Sequence, residues 1–297
     1  MNNTLTQIHF IVNPIAGSGK NEIPNDLIHQ YFEPDQYKVT IKYSEYRKHA
    51  TALTQDSIQE GASIIVACGG DGTINEVASC LVNTNIVLGI MAMGSGNGLA
   101  SHLKIPRSFK QALDLIKNQK VKKIDVGRLN DAYFFSNIGV GIAANVVKHY
   151  ESSSKRKFFS YLKASIISLR ELRKENLILI TTENQTQLIN PLMLFISNSN
   201  ELGYKVSLTP NASLQDGLLD IVMVPKTNRF KTLLFGILIL FKKHQLLREV
   251  NSFQIKKAEL AKQNEDFFHS QIDGEYVTVN NKSITISVLE KSLNVIA

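Results

Sequence analysis

A short apolar run followed by a glycine-rich turn occurs three times in the first half of the chain. Helix-like stretches separate these units, and strands that alternate with helices predict a parallel α/β sheet. The carboxyl ends of parallel strands lie at one edge of a sheet, where the ligands of such folds bind. The three turns are therefore predicted to meet at that edge. The runs and the turns that follow them cover residues 8–12 and 13–20, 63–68 and 69–73, and 86–92 and 94–98.

The second half of the chain consists of short β-rich runs with polar turns between them. Two of these runs cover residues 133–138 and 253–258, and only residues 155–174 and 230–247 look strongly helical. We therefore predict a mainly antiparallel β domain with one or two helices. At about 150 residues per domain, a chain of 297 residues accommodates two domains. The predicted domains are residues 1–127 and residues 128–297, with the last residues free to pack back on the first domain.

Composition excludes several classes of protein. Hydrophobic residues make up 43% and charged residues 20%, which supports a packed core and excludes wholesale disorder. Cys68 and Cys80 cannot build a disulfide framework in a chain of this length, so we expect free thiols and a cytoplasmic setting. Residues 1–7 carry no basic residue, which argues against a signal peptide. The longest apolar run, residues 233–241, is too short for a membrane span, which needs about 20 apolar residues.

The first turn nearly matches a phosphate-binding loop. It reads Asn13-Pro14-Ile15-Ala16-Gly17-Ser18-Gly19-Lys20, and it departs from the P-loop pattern at Pro14 and at Asn21. Small residues after a strand nevertheless expose backbone N–H groups to an anion. An ordinary strand-to-helix turn explains the segment equally well when it is taken alone.

The second and third turns strengthen the case for an anion. Gly69 and Gly70 let a phosphate approach the backbone, and Asp71 follows a buried strand, where it could hold Mg²⁺ or accept a proton. Thr73 and Glu76 have the spacing of a helix capping box. Each glycine adds entropy to the unfolded chain, so three glycine loops at one sheet edge are hard to explain by folding alone. Together the loops predict a polyphosphate site.

An ordered set of motifs resembles one family of enzymes, the diacylglycerol kinase and sphingosine kinase family of lipid kinases. The resemblance runs from about residue 8 to residue 279, in the order of the family's motifs. The matching motifs are Asn13-Pro14-x-x-Gly17, Gly69-Gly70-Asp71-Gly72-Thr73-x-Asn75-Glu76, Gly94-Ser95-Gly96-Asn97, Asp125-Val126-Gly127, Phe135-Ser136-Asn137-x-Gly139-x-Gly141, Asp216-Gly217-x-Leu219-Asp220 and Asp273-Gly274-Glu275.

The resemblance implies a role for the residues that match. The ATP phosphates would lie on the loops, with Ser44 in a helper position, and Glu275 would be the general base on the lipid hydroxyl. The implied nucleotide-binding residues are Asn13, Pro14, Ile15, Ala16, Gly17, Ser44, Gly69, Gly70, Asp71, Gly72, Thr73, Ile74, Asn75 and Ser95.

The resemblance also implies two sites for Mg²⁺. Asp71 and Asp125 would organise the catalytic ion, directly or through water. Asp216, with main-chain oxygens near Ser213 and Leu218, would hold a second, structural ion.

The third loop departs from the pattern of many bacterial relatives, which carry Asn-Asp at this point. Here Asn97 is followed by Gly98, and the loop looks more like the version in sphingosine and ceramide kinases. Magnesium would then be held by fewer carboxylates. Both diacylglycerol and a sphingoid lipid alcohol stay open as the substrate.

The resemblance therefore implies an ATP- and Mg²⁺-dependent kinase that transfers the γ-phosphate to a lipid hydroxyl. Glycine loops would hold the polyphosphate, Mg²⁺ would offset developing charge, and a carboxylate would take the hydroxyl proton. Residues 1–127 would bind the nucleotide and residues 128–297 the lipid. An NAD kinase, which shares the Gly-Gly-Asp-Gly motif, and a nucleotide-binding, membrane-associated regulator with little turnover are the alternatives.

The positive charge of the chain is concentrated in two segments. The formal net charge is +7, to which residues 155–174 and residues 226–248 contribute +6 each, so the rest of the chain is −5. Aromatic residues such as Phe158, Phe235 and Phe241 are interleaved with these charges, which favours peripheral association with an anionic membrane surface. A solvated helix face plus a buried core helix is the alternative. No recognisable module for nucleic acid accompanies the charge, so we expect no nucleic-acid partner, and a homodimer stays open.

Overall fold

A computed structural model describes residues 5–17, 19, 23–94, 96–152, 158–171, 177–201, 206–262 and 265–297. The chain divides into two compact units, which we call unit 1 (Met1–Ile124 with Lys291–Ala297) and unit 2 (Asp125–Glu290). Ser95 of the predicted nucleotide site lies outside the described residues, and so do Lys155, Arg156 and Lys157 of the first basic segment.

Secondary-structure elements alternate between strand and helix in unit 1 and are mostly strands in unit 2. In chain order they begin with β1 (Thr6–Val12), α1 (Asn25–Tyr31), β2 (Tyr37–Tyr43), α2 (His49–Gln59), β3 (Ile64–Gly69), α3 (Asp71–Leu81), β4 (Val87–Ala92), α4 (Gly98–His102), α5 (Phe109–Asn118) and β5 (Val121–Leu129). They continue with β6 (Ala132–Phe134), β7 (Asn137–Gly141), α6 (Ile142–Glu151), α7 (Phe158–Glu171), β8 (Ile178–Thr182), β9 (Thr186–Ile189), β10 (Pro191–Ser197), β11 (Leu219–Pro225), α8 (Arg229–Leu240), β12 (Asn251–Ile255), β13 (Lys257–Lys262), β14 (Phe268–Ile272), β15 (Glu275–Val279) and β16 (Ser283–Ile296).

Unit 1 is built on a parallel sheet with the strand order β2-β1-β3-β4, and the last residues of β16 pair in parallel with β4. On one face, α1 and α5 cover a core that includes Phe10, Phe32 and Ile116. Ile11 and Ile65 are buried too, and they point to the opposite face because side chains alternate along a strand. That face is covered by α2 and α3, which pack against β1 and β3. The predicted parallel α/β class is thereby confirmed.

Unit 2 is an antiparallel β sandwich. One sheet has the order β12-β11-β10-β7-β14-β15, and the other contains β16-β13-β8-β9 together with β5 and β6. The inner faces of the two sheets share a core that includes Ile180, Leu194 and Phe268. The outer face of the six-stranded sheet carries a second core, in which Phe195 and Val222 pack with Phe235 of α8. The predicted mainly antiparallel β class is confirmed.

Two predicted strands are each divided in the structure. Residues 133–138 contain the end of β6 and the start of β7, which belong to different sheets. Residues 253–258 contain the end of β12 and the start of β13, where the chain again passes from one sheet to the other at Lys256. Alternation of apolar residues continues across both crossings, because both strands face the same sandwich core.

Candidate active site

Four neighbouring strands of unit 1 end at one edge of the sheet, and the predicted loops follow them there. Backbone hydrogen bonds join the starts of neighbouring loops. The N–H groups of Asn13, Met93 and Ser44 donate to the carbonyl oxygens of Cys68 (2.9 Å), Gly69 (2.8 Å) and Val12 (2.8 Å), respectively. The structure therefore brings the three glycine-rich loops and Ser44 together at the carboxyl end of the sheet.

The glycines of these loops allow backbone to pack on backbone. Gly17 has a φ of +63°, and a Cβ on this residue would lie 2.1 Å from the carbonyl oxygen of Met93 in the third loop. A Cβ on Gly94 would lie 2.6 Å from the Cα of Gly70 in the second loop. Any side chain at these positions would force the loops apart, so the close approach requires glycine.

Asp71 links the second loop to the third. It is the first residue of α3, and its carboxylate accepts the N–H of Asn97 at 2.7 Å and the N–H of Gly98 at 2.7 Å. A carboxylate offers about four lone-pair positions. Asp71 therefore holds the third loop in place through a carboxylate, the type of group that also binds Mg²⁺.

Thr73 lies in the first turn of α3 and does not cap the helix. The helix begins at Asp71 with Gly70 as its N-cap, so the predicted capping box is wrong. The Thr73 hydroxyl instead accepts a hydrogen bond from Asn13 Nδ2 at 3.2 Å, which ties the first loop to the second. Glu76 accepts the N–H of Lys48 at 3.1 Å.

The remaining predicted nucleotide residues differ in exposure. Ala16 and Ile74 are buried, whereas Ile15 is 81% exposed at the tip of the first loop. The first N–H groups of any α-helix have no intrahelical acceptor, and α3 presents them at the point where the three loops meet. Glycine loops around a helix N-terminus form a cradle that fits a phosphate group.

Asp125 in unit 2 is fully buried and is bound to the predicted metal loop. Its Oδ2 accepts the N–H of Gly217 at 2.7 Å, and its own N–H donates to Leu214 O at 2.7 Å. Its carbonyl oxygen accepts a hydrogen bond from Asn198 Nδ2 at 2.8 Å. Asp125 therefore fixes residues 214–217, which precede the predicted ligand Leu218. Asp71 belongs to unit 1 and Asp125 to unit 2.

The loop from Ser213 to Asp220 offers oxygen atoms to a cation. Asp216 is exposed, and it accepts hydrogen bonds from Leu218 N–H (3.1 Å) and from Gln254 Nε2 (3.3 Å). The Oδ2 atom of Asp220 is buried, and burial, with a smaller effect of the Asp216 charge, raises the pKa of Asp220. Two neighbouring carboxylates and main-chain carbonyls are ligands that suit Mg²⁺.

No group of three or more His, Cys, Asp or Glu side chains with metal-binding geometry occurs within the described ranges. Magnesium in kinases is commonly held by one or two carboxylates together with phosphates and water. The donors at Asp71 and at Asp216 are of that kind, so the residues present fit the ion.

Glu275 is half-buried and follows a tight turn between β14 and β15. Asp273 and Gly274 form this turn, with φ values of +48° and +84°. The carboxylate of Asp273 accepts three backbone N–H groups, from Phe135 (2.9 Å), Ser136 (2.7 Å) and Asn137 (3.0 Å). These bonds fix the turn that carries Glu275, and they lie where the chain passes from β6 to β7.

Sequence reasoning missed two side chains that position Glu275. Gln271 is buried, and it accepts the Gly274 N–H at 2.9 Å and donates to Asn137 Oδ1 at 2.7 Å. Glu151, the last residue of α6, accepts the N–H of Tyr276 at 2.9 Å. Asn137 belongs to a motif already singled out in the sequence, but a single chain gives no signal for Gln271 or Glu151.

Both cysteines are free, as predicted. Burial raises the pKa of the Cys68 thiol, and burial followed by the Glu76 charge raises that of Cys80. A raised pKa disfavours the thiolate, so neither cysteine is suited to act as a nucleophile.

Two family models together match most of the chain. Residues 7–129 match the model described as the diacylglycerol kinase catalytic domain. Residues 136–297 match the model described as the YegS C-terminal NAD kinase beta sandwich-like domain. The two matches fall on the α/β part and the sandwich part of the fold, respectively.

Similar proteins and structures agree with these matches. A diacylglycerol kinase of Staphylococcus aureus is 30% identical over 227 residues, which cover 74% of this chain and 70% of that protein. An uncharacterized protein of Synechocystis, sll0036, is 27% identical over 317 residues, which cover 97% of this chain and 70% of that protein. The crystal structure of a diacylglycerol kinase from Bacillus anthracis superposes with a TM-score of 0.71 at 20% identity. The superposition covers 98% of this chain and 96% of that one, and it shows that the two proteins share a fold.

Proposed function

Because the chain belongs to the diacylglycerol kinase family, we propose that it transfers the γ-phosphoryl group of ATP to the hydroxyl group of a lipid. Family membership supports a kinase. The observation that carries the finer proposal is the linked set of glycine loops in unit 1, in which Asp71 bridges the second and third loops with two hydrogen bonds of 2.7 Å. Such a cradle suits a polyphosphate.

In this proposal the residues of unit 1 bind and orient the nucleotide. The N–H groups at the start of α3 and in the first loop donate to phosphate oxygens, and the glycines leave room for that approach. Asp71 would hold the catalytic Mg²⁺, and Asp216 with the loop around Ser213 and Leu218 would hold a structural one. When bound, the catalytic ion would neutralise charge on the phosphates. A role for Asp125 at the catalytic ion stays a prediction, since its Oδ2 is bound to Gly217.

Glu275 is the proposed general base. Its carboxylate takes the proton from the lipid hydroxyl while the hydroxyl oxygen forms a bond to the γ-phosphorus and the bond from that phosphorus to the ADP oxygen breaks. The Asp273 and Gln271 hydrogen bonds hold the turn beside Glu275 before the substrate arrives. A base that is already in place loses little conformational entropy in the reaction.

An NAD kinase is the second candidate function. The description of the family model that matches residues 136–297 names NAD kinase. An NAD kinase would phosphorylate a ribose hydroxyl of a soluble dinucleotide instead of a lipid. A regulator with little turnover would bind ATP and consume almost none. These candidates differ in their products, so product analysis separates them.

The test is an incubation of the purified chain with ATP, Mg²⁺ and a panel of acceptors, followed by mass spectrometry. The panel contains diacylglycerol, monoacylglycerol, sphingosine and ceramide in detergent micelles, with NAD in a separate tube. We expect one class of phosphorylated lipid and no NADP. Formation of NADP would establish the second candidate, and ATP binding without any product would establish the regulator.

A further inference from the structure

Helix α8 in unit 2 is apolar on two opposite sides. On one side Phe235 is buried in the core on the outer face of the six-stranded sheet, and Ile239 packs against the same core. The other side, together with Phe241 directly after the helix, carries large apolar side chains that water can reach. They are Phe230 (75% exposed), Leu233 (63%), Ile237 (45%) and Phe241 (68%).

These four side chains form a continuous stripe, which we call the α8 stripe. Their spacing of three and four residues places them on one side of a helix, within about 80° at 100° per residue. A globular helix normally presents polar residues on the side that faces water, and a helix that is apolar all round is normally buried. The α8 stripe is therefore a surface that lacks its covering partner within the described part of the chain.

Basic residues border the stripe. Residues 226–248 contain six Lys and Arg residues and no Asp or Glu. Lys231 pairs with Glu249, and Lys242 lies 3.9 Å from Glu201. Lys243, two residues after Phe241, and Arg248 are exposed. The segment that carries the stripe thus has a net positive charge, with Lys243 and Arg248 exposed.

An anionic membrane fits this combination better than a second copy of the chain. Two copies that met through the α8 stripe would bring their basic borders together, and like charges repel. A bilayer with anionic lipids offers an apolar interior to the stripe and negative headgroups to its border. No helix within the described part of the chain is long and apolar enough to cross a membrane, so such an association would be with the bilayer surface.

We infer that the α8 stripe docks on the surface of an anionic membrane, with Phe230, Leu233 and Phe241 entering the headgroup region and Lys243 and Arg248 facing the lipid phosphates. The inference rests on the proposed function for its purpose, because a lipid alcohol lies in a bilayer. Exposed apolar residues also occur on α7, at Leu162, Ile166 and Leu169. The chain on either side of α7 lies outside the described residues, and the inference concerns α8 alone.

The test measures binding of the full chain to sedimentable vesicles of phosphatidylcholine, with or without phosphatidylglycerol. The variant Phe230→Gln/Leu233→Gln/Phe241→Gln removes most of the stripe. The matched control Leu5→Gln/Val121→Gln/Leu188→Gln changes the same number of exposed apolar residues outside α8. We expect at least a tenfold loss of affinity for anionic vesicles in the stripe variant and none in the control.

The electrostatic part has its own variant, Lys243→Gln/Arg248→Gln. We expect weaker binding to anionic vesicles, a smaller salt dependence and no change toward neutral vesicles. Equal binding by the parent and the stripe variant would overturn the inference, and so would an equal loss in the matched control. The parent could instead bind no vesicles and sediment as a dimer in analytical ultracentrifugation, while the stripe variant sediments as a monomer. That result would overturn the inference and assign the stripe to a second copy of the chain.

Kinase assays on a short-chain, water-soluble lipid distinguish a failure of membrane docking from a failure of the proposed lipid kinase activity. The stripe variant should turn over the soluble lipid like the parent and lose activity only on vesicles. Binding that depends on the stripe without any lipid phosphorylation would leave the docking surface standing and overturn the proposed function.

Discussion

Asp71 has two tasks at the scale of a single residue, because the carboxylate that is proposed to serve the reaction also holds the third loop. An asparagine can accept one of the two N–H groups of Asn97 and Gly98, but its NH₂ group cannot accept the other. A buried N–H without an acceptor costs about 1–3 kcal/mol. We therefore expect Asp71→Asn to lower both the free energy of unfolding and kcat.

Thermal unfolding and steady-state kinetics measure these effects together. We expect kcat to fall more than about tenfold, which corresponds to about 1.4 kcal/mol in the activation free energy. Asp35→Asn, a change at an exposed turn residue, is the matched control and should behave like the parent. A folded Asp71→Asn variant with more than a tenth of the parent kcat would exclude a catalytic role.

Gly98 is the position at which the third loop departs from many bacterial relatives. It is buried, and its N–H lies 2.7 Å from an oxygen of Asp71, so Gly98→Asp would place a second carboxylate next to the first. Without a cation the two charges repel. We expect the melting temperature of Gly98→Asp to be lower than that of the parent without Mg²⁺ and to rise more than that of the parent when Mg²⁺ is added. We also expect the variant to reach its half-maximal rate at a lower Mg²⁺ concentration than the parent. Identical Mg²⁺ dependence of the melting temperature in the two proteins would argue against an ion at this place.

Gln271 is a positioning residue for Glu275. Gln271→Leu keeps the size of the side chain but removes its bonds to Gly274 and Asn137. We expect kcat to fall about tenfold or more while KM for ATP stays unchanged, because the residues proposed to bind the nucleotide are in unit 1. Gln271→Glu keeps the acceptor for Gly274 but loses the donor to Asn137 Oδ1, so it should lower kcat as well. The control Gln187→Leu makes the same change in β9, and a matching loss of kcat there would mean that the effect is only structural.

At the scale of the element, α8 packs against a buried histidine. His244 is fully buried, and its ring packs edge to face on Phe235 with the centroids 6.1 Å apart. Burial lowers the pKa of His244. The unfolded chain therefore takes up this proton at a higher pH than the folded chain does, and stability is lost as the pH falls below about 6.5.

Chemical denaturation between about pH 7.5 and pH 5 tests this dependence, because histidine titrates in this range. One proton contributes a slope of at most about 1.4 kcal/mol per pH unit. His244→Gln should reduce the slope for unit 2, and His29→Gln, at an exposed position, should not. Burial also lowers the pKa of His9 in unit 1, so His9 should still contribute to the pH dependence of stability in the His244→Gln variant. An unchanged slope in His244→Gln would contradict a lowered pKa of His244 in the folded chain.

Elements were predictable from the sequence where the chain marks their ends. The strands before the glycine loops are bounded by Asn, Pro and Gly, so β1, β3 and β4 lie within about two residues of their predicted bounds. Helix α6 lies outside the predicted helices, although a glycine precedes it. It follows β7 directly at Gly141, whose φ is +79° and whose Cβ would lie 2.7 Å from Leu192 O, so the apolar run continues from strand into helix.

At the scale of the whole molecule, the sequence predicts the residues of the candidate site better than it predicts the hydrogen bonds that hold those residues in place. The loops and Glu275 stand in motifs, and the structure places the loops at one sheet edge. The hydrogen bonds that hold them join residues far apart in the chain, such as Asp273 with Ser136 and Asp125 with Gly217. Such pairings depend on strand order and register, and one sequence read alone does not contain them.

The most direct test of the account is the transfer of label from γ-labelled ATP into the lipid phase, with the parent and with Glu275→Gln. The account predicts labelled lipid with the parent, a loss of more than about a hundredfold with Glu275→Gln, and equal ATP affinity in both, since general-base catalysis contributes about 10²–10⁴-fold. Glu259→Gln, at an exposed glutamate of β13, is the control and should keep full activity. A parent that binds ATP but labels no lipid, or a Glu275→Gln variant as active as the parent, would contradict it.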